Sequence, residues 1–184
     1  MDRASRRRPV LLLVLVAAVS VLCLVQVASA YTGYQQMIAK LKTKGYSTAL
    51  AAWQTSGLNN TLKQWLPTSQ MTILVPRNSA FSKLTGSYQY SKLKKNPKAL
   101  LQVMAFHVWK QRFSSSTLEA IKVGTQFGTL DYKYVMRKSG TKPARFTKLG
   151  ASGGAKIIAA DLYVDPQVIV HGVDTVIIPP KINK

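Results

Sequence analysis

The chain has a single cysteine, two histidines and six acidic residues, set against 26 lysines and arginines in 184 residues. Cys23 lies inside an uncharged apolar run from Val10 to Ala30. Beyond that run there is no disulfide, no thiol nucleophile and no thiolate metal ligand, so a fold there must rest on its apolar core. Two histidines with no carboxylate at ligand spacing do not suggest a metal site. Five acids after residue 30 leave few partners for a paired-carboxylate catalytic centre. No His-Glu-x-x-His occurs. The glycine-rich run Gly150-Ala-Ser-Gly-Gly154 precedes a strand pattern rather than a helix, and so reads as a hairpin loop, not as a nucleophile elbow or a phosphate cradle. These absences argue against an enzyme, and no cofactor is expected.

What stands before the domain is an export signature. Arg3, Arg6, Arg7 and Arg8 precede the apolar run, which closes on Gln26 and the small-x-small site Ala28-Ser29-Ala30. That is the pattern of a secretory signal peptide over residues 1–30, cleaved before Tyr31. A run of about 20 apolar residues is also long enough to span a bilayer. Kept as an anchor with its arginines inside, it would still place the remainder outside. Either way residues 31–184 leave the cytoplasm, and their length suits one domain. They keep 22 basic residues and five acids, a net charge of +17. Asn59-Asn60-Thr61 is an N-glycosylation sequon, expected on a surface loop.

Apolar spacing predicts helices from Tyr34 to Leu58, with Ser47 capping the second and Gly57 ending it. Met71 to Val75 reads as a strand stopped by Pro76, after which Asn78 caps one turn bearing Ala80, Phe81 and Leu84. The longest helix has Asn96 at its cap and Pro97 at its first position, with Leu100, Leu101, Val103, Met104, His107 and Val108 facing inward. Ser116 and Glu119 have capping-box spacing for a short helix. Thr125–Leu130, Tyr132–Arg137, Ala144–Leu149, Lys156–Val164 and Gln167–Pro179 then read as strands. Helices first and strands clustered later make an α+β class.

Two segments resemble the signatures of the fasciclin domain. One is Thr72-Ile-Leu-Val-Pro76-Arg-Asn78-Ser-Ala-Phe81; the other is Ile169-Val-His171-Gly-Val-Asp174-Thr-Val-Ile-Ile-Pro179. Between them, Phe106-His107-Val108 stands where the family has Tyr-His-Val, and Asp161-Leu162 where many members have Asp-Ile. The resemblance covers residues 34–179. It implies a wedge of β-sheets flanked by N-terminal helices, and a role in cell adhesion or the extracellular matrix. It further implies Phe106, His107, Asp161, Leu162, His171 and Asp174 as adhesion-motif residues. Arg77, Phe106 and Gln167-Val168 depart from the family pattern. The Ala-Pro, Ser-Pro and Thr-Pro modules of fasciclin-like arabinogalactan proteins are missing, and so is a C-terminal hydrophobic tail, which implies an unanchored secreted form.

From the residues themselves, His107 and His171 read as core histidines bonded to backbone, and Asp161 and Asp174 as hydrogen-bond acceptors at turns or strand ends. The excess of positive charge is the sharper clue. Lys92, Lys94, Lys95 and Lys98 cluster before the long helix. Lys133, Arg137, Lys138, Lys142, Arg145 and Lys148 fill a stretch without an acid. Such a field attracts polyanions. Export removes nucleic acid as a partner and leaves acidic polysaccharide or a matrix or cell-surface glycoprotein. The competing reading is a cationic defence protein acting on anionic membranes.

Overall fold

The structure, a computed structural model, describes residues 16, 18–22, 33–149 and 154–182. Residues 16 and 18–22 are helical and exposed. The rest of the expected leader, with its Ala28-Ser29-Ala30 site, lies outside the described residues, as does most of the Gly150–Gly154 loop. Among the described residues no helix is long and apolar enough to cross a membrane.

Helices lead the chain: α1 over residues 33–43, α2 Ser47–Ser56 and α3 Leu58–Trp65. Gly57 ends α2 at φ 79°, a left-handed conformation that a glycine adopts without Cβ strain. Ser47 does not cap α2; it is the helix's first residue. The cap comes from far along the chain. The Asn78 side-chain oxygen accepts from the Thr48 N–H at 2.9 Å, and its amide donates to Ser47 Oγ at 3.0 Å. Asn78 therefore docks the short α4 (Asn78–Ser82) onto α2 and makes no side-chain cap for its own turn.

Beyond α5 (Tyr90–Leu93), α6 (Pro97–Phe106) starts as its sequence requires. Asn96 Oδ1 accepts from the Ala99 N–H at 3.0 Å, and Pro97 fills the first turn. Leu100, Val103 and Met104 are buried, but Leu101, one position and about 100° further round the helix, is 36% exposed. In α7 (Ser115–Ala120) the cap is Ser114, whose hydroxyl accepts from the Thr117 N–H at 3.2 Å. Ser116 lies inside that helix, so the expected box with Glu119 does not form.

Seven strands make one sheet in the order β2-β1-β7-β6-β5-β4-β3. They are β1 Met71–Pro76, β2 Val108–Trp109, β3 Gln126–Gly128, β4 Val135–Gly140, β5 Arg145–Lys148, β6 Ala155–Val164 and β7 Val168–Val173. Only β1 and β7 pair in parallel; the other neighbours are antiparallel. The class is α+β. β4 starts later than its sequence suggests because Tyr132 turns the chain at φ 51°. All six residues of β1 and of β7 are buried, as expected of parallel strands covered on both faces. Met71, Ile73, Val75, Val168 and Val170 pack into one core with the helices. Leu74 and Val173 turn to a second, aromatic core, where Trp109 stacks on Phe127 at 4.5 Å and meets Phe146 edge-on at 4.8 Å.

Gly172 in β7 marks a close approach between the sheet and Tyr46, the residue just before α2. A Cβ there would collide with the Tyr46 hydroxyl and press on Ala159 at 3.1 Å. Gly172→Ala is expected to lower stability by about 1–3 kcal/mol, as overpacking does. Part of the loss should return in the Tyr46→Phe background, which removes the hydroxyl. Urea denaturation of the four proteins of this cycle checks it, and additive effects would show that the two side chains do not meet.

Candidate functional site

The motif residues fall into a buried set and a half-exposed set. His107 ends α6 and is enclosed. Its Nδ1–H donates to the Val103 carbonyl at 2.8 Å, and its Nε2 accepts from the Ile177 N–H at 3.0 Å. The ring thus joins α6 to the segment that follows β7, and this double bond requires the neutral form. Burial lowers its pKa to about 4, against the opposing pull of the Val103 carbonyl. Phe106 is wholly buried in the aromatic core. In that apolar setting a phenol hydroxyl would need a partner, which phenylalanine does not.

His171, in β7, is also fully buried. Its Nε2–H donates to the Phe113 carbonyl at 2.9 Å, while Nδ1 accepts from the Asp161 N–H at 3.1 Å. Burial lowers its pKa more than the Phe113 carbonyl and the Asp161 carboxylate raise it, so the 3.7 Å approach of Asp161 Oδ1 to Nδ1 is not an ion pair at neutral pH. Phe106, His107 and His171 are therefore corrected as contact residues: a partner at the surface cannot reach their side chains.

Asp161 interrupts β6 with a left-handed φ of 46°, inside the irregularity between Ala159 and Tyr163 in the pairing with β7. Its carboxylate accepts from the Ser115 N–H at 3.1 Å and from the Ser115 hydroxyl, placing a negative charge at the first turn of α7. Leu162 is half-buried against the helical core. Asp174 Oδ1 accepts from the Lys156 N–H at 2.8 Å and the Thr175 hydroxyl at 3.0 Å, a strand-end acceptor as expected. Asn59 lies in the first turn of α3, not on a loop, and is half-exposed.

The basic residues divide by strand parity. Lys92, Lys94, Lys95 and Lys98 are exposed around α5 and the start of α6, as are Lys133, Lys142 and Arg145; Arg137 and Lys148 are half-buried. Opposed residues of antiparallel strands share a face. Arg137 faces Thr147, and Arg145 faces Lys156. These put Arg137, Arg145 and Lys156 on the sheet face opposite the aromatic core, and Lys156 was not among the residues singled out from sequence. Lys138 has the other parity. It pairs with Phe146 and is 0% exposed, so it is corrected as a polyanion-binding residue. Its ammonium donates to the Glu119 carbonyl at 2.9 Å and to the Ile121 carbonyl, closing the C-terminal end of α7. Burial lowers its pKa, with Glu119 opposing.

Comparison with known families rests on this framework. The model of the fasciclin domain matches residues 44–179, a span that includes both signature strands, β1 and β7, the six adhesion-motif residues and the basic residues of both clusters. The chain belongs to the fasciclin-domain family. Among 19 matching chains of known structure is a pair of FAS1 domains from the insect cell adhesion molecule Fasciclin I. It shares the fold at a TM-score of 0.54 and 17% identity, over 78% of this chain and 47% of that one. This chain thus spans about half the length of that structure. No curated protein matches. Fasciclin domains are generally linked to cell adhesion and occur typically in extracellular or cell-surface proteins; they are adhesion modules rather than enzymes. Among the described residues of this fasciclin domain, no three of His, Cys, Asp and Glu gather to hold a metal ion.

The buried neutral histidines make stability depend on pH. In the unfolded chain His107 returns to its ordinary value near 6.5. Between that value and about 4 the unfolded state takes up a proton that the folded state refuses. Stability is full above 6.5 and falls as pH drops below it, by about 1.4 kcal/mol per pH unit for this residue, with His171 acting in the same direction. Urea midpoints from about pH 7 down to about pH 4.5 check this, and His107→Gln should start less stable but fall less steeply. Lys138→Ala should cost about 2–4 kcal/mol, since it leaves two carbonyls unpaired and a void.

Proposed function

We propose that this fasciclin-domain protein is secreted and acts at the cell surface, in the matrix or in a cell wall, as an adhesive component. On this reading it holds acidic polysaccharide or acidic glycoprotein through its cationic surface. The observation that carries the reading is the uneven use of charge. Asp161, Asp165 and Asp174 all accept hydrogen bonds from backbone N–H groups of their own fold. Among the described residues, none of Lys92, Lys94, Lys95, Lys98, Lys133, Lys142 and Arg145 meets a carboxylate at ion-pair distance. Arg145 and Lys156 stand directly opposite each other across β5 and β6, an arrangement of like charges that an anionic partner would relieve.

Export supports the same reading, because the Arg-rich start and the Ala28-Ser29-Ala30 site direct the domain to where polyanions are polysaccharides and glycoproteins rather than nucleic acid. The protein of like fold from insects is a cell adhesion molecule. A membrane-active defence role needs a basic helix with a free apolar face. Most apolar residues of α2, α3 and α6 contribute to the core instead, among them Trp53, Leu62 and Leu100.

The test is retention of the domain on immobilised polyuronate, on a neutral polysaccharide and on anionic vesicles. Raising salt from about 0.1 M to about 1 M shortens the screening length from about 10 Å to about 3 Å. Retention on polyuronate should collapse over that range, and the neutral matrix should retain little at any salt. Salt-independent retention, or leakage from anionic vesicles in place of glycan binding, would reject the proposal.

A further inference from the structure

Lys110 belongs to neither basic cluster. It follows the buried Trp109 at the end of β2 and is exposed. Its ammonium lies 4.4 Å from the centroid of the Trp65 ring and 3.7 Å from that of Tyr132, and it donates to the Tyr132 hydroxyl. One cation is thus held between two aromatic rings, one from the end of α3 and one from the turn before β4. Tyr132 is 70% exposed and has a φ of 51°. A bulky side chain adopts that left-handed conformation only where its surroundings impose it, and such strain gathers at binding sites.

Lys110 is also the wall shared by two open clefts. One, of about 600 Å³, is lined by Trp65 with Gln64, Thr68 and Gln70. The other, of about 340 Å³, is lined by Tyr132 and Tyr134 with Gln111 and Gly128. No carboxylate lines either cleft. The clefts offer flat aromatic faces, side-chain amides and hydroxyls that both donate and accept, and a single fixed cation between them. A lipid or other apolar ligand would need an enclosed apolar cavity, which these are not. A sugar ring has apolar C–H faces for the aromatics and hydroxyls for the amides. A carboxylate on that ring would form a charge-assisted hydrogen bond to the ammonium.

We propose that Trp65, Lys110 and Tyr132 form a saccharide subsite specific for a uronic acid residue, with the chain of sugars continuing into the cleft on each side. The ammonium, already fixed between its rings, loses little freedom on binding. The site rests on the reading of acidic polysaccharide as the partner. It sharpens that reading from a diffuse field to a defined contact.

The experiment titrates the full domain at low salt with an oligogalacturonate and with its methyl ester, by calorimetry. Variants are Lys110→Gln, Lys110→Arg, Tyr132→Asn, which removes the ring but tolerates a left-handed φ, and Lys40→Gln, an exposed lysine of α1 outside the proposed binding surface, as the charge control. Lys110→Gln and Tyr132→Asn should each weaken oligogalacturonate binding by about tenfold, the worth of one charge-assisted bond. Lys110→Arg should keep most of it, and Lys40→Gln should cost less than about twofold. On the methyl ester Lys110→Gln should make no difference. Trp53 and Trp109 are buried and Trp65 is not. Ligand should therefore shield tryptophan fluorescence from acrylamide in the wild type but not in Trp65→Phe. If wild type binds and Lys110→Gln behaves like Lys40→Gln, the subsite is wrong and the diffuse cationic surface stands. If wild type shows no salt-sensitive binding, the polysaccharide reading fails and the subsite with it. Thermal melts matching wild type establish that the variants fold.

Discussion

Two polar side chains stand in the otherwise apolar centre of the sheet, and the arrangement around β1 and β7 depends on them. Thr72 Oγ1 donates to the Gln111 carbonyl at 2.7 Å and accepts from the Phe113 N–H at 2.8 Å. His171 takes the Phe113 carbonyl. Together they clip the segment leading from β2 to α7 across the face of the two central strands. Buried backbone groups must find partners, and these two side chains supply them where no strand is available to pair. Asp161 extends the clip from the other side: its N–H bonds His171 and its carboxylate holds the first turn of α7. Asp161 and His171, two of the residues that resemble an adhesion motif, thus belong to one chain of hydrogen bonds within the domain.

That clip acts on strands brought together from the two ends of the matched domain. β1 and β7 pair over six residues, from Met71 with Val168 to Pro76 with Val173. Closing so long a loop costs entropy before any contact forms, and what repays it is apolar burial on both faces. Gly172 permits a close contact with Tyr46, and His107 adds a tie from α6 to the residues after β7. A neutral histidine is needed at each of these buried positions, so the fold commits its two imidazoles to structure.

The consequence for function is a separation of charge by location. Three of the aspartates are drawn into hydrogen bonds that close turns and helix ends, while most lysines remain on the outside. Such a domain has a positive field with little internal compensation, and fields of that kind govern encounter with polyanions more than they govern fold. Lys138 and Lys110 show how finely location matters. One is buried as a helix-end donor; the other is fixed between two rings at a cleft.

Much of the local structure was legible from the residues alone. Asn96-Pro97 and Gly57 act through bonds and dihedrals within a turn of themselves, so their roles follow from spacing. The two signature segments identified the family and the α+β class, because their apolar runs and proline stops are properties of β1 and β7 themselves. The charge excess was likewise read directly, with no folding required. Asn78 was misread because its partner, α2, lies 30 residues away. Lys138 was misread because the pattern was ended at Arg137, one residue before the alternation that would have turned it inward. Lys110, Trp65 and Tyr132 carry no common spacing, and only the meeting of α3, β2 and the turn before β4 makes them neighbours. Composition and short-range pattern determined what kind of domain this is. Long-range pairing decided which of its charges and rings face the same solvent, because proximity across the chain is set by burial and strand register, not by position along it.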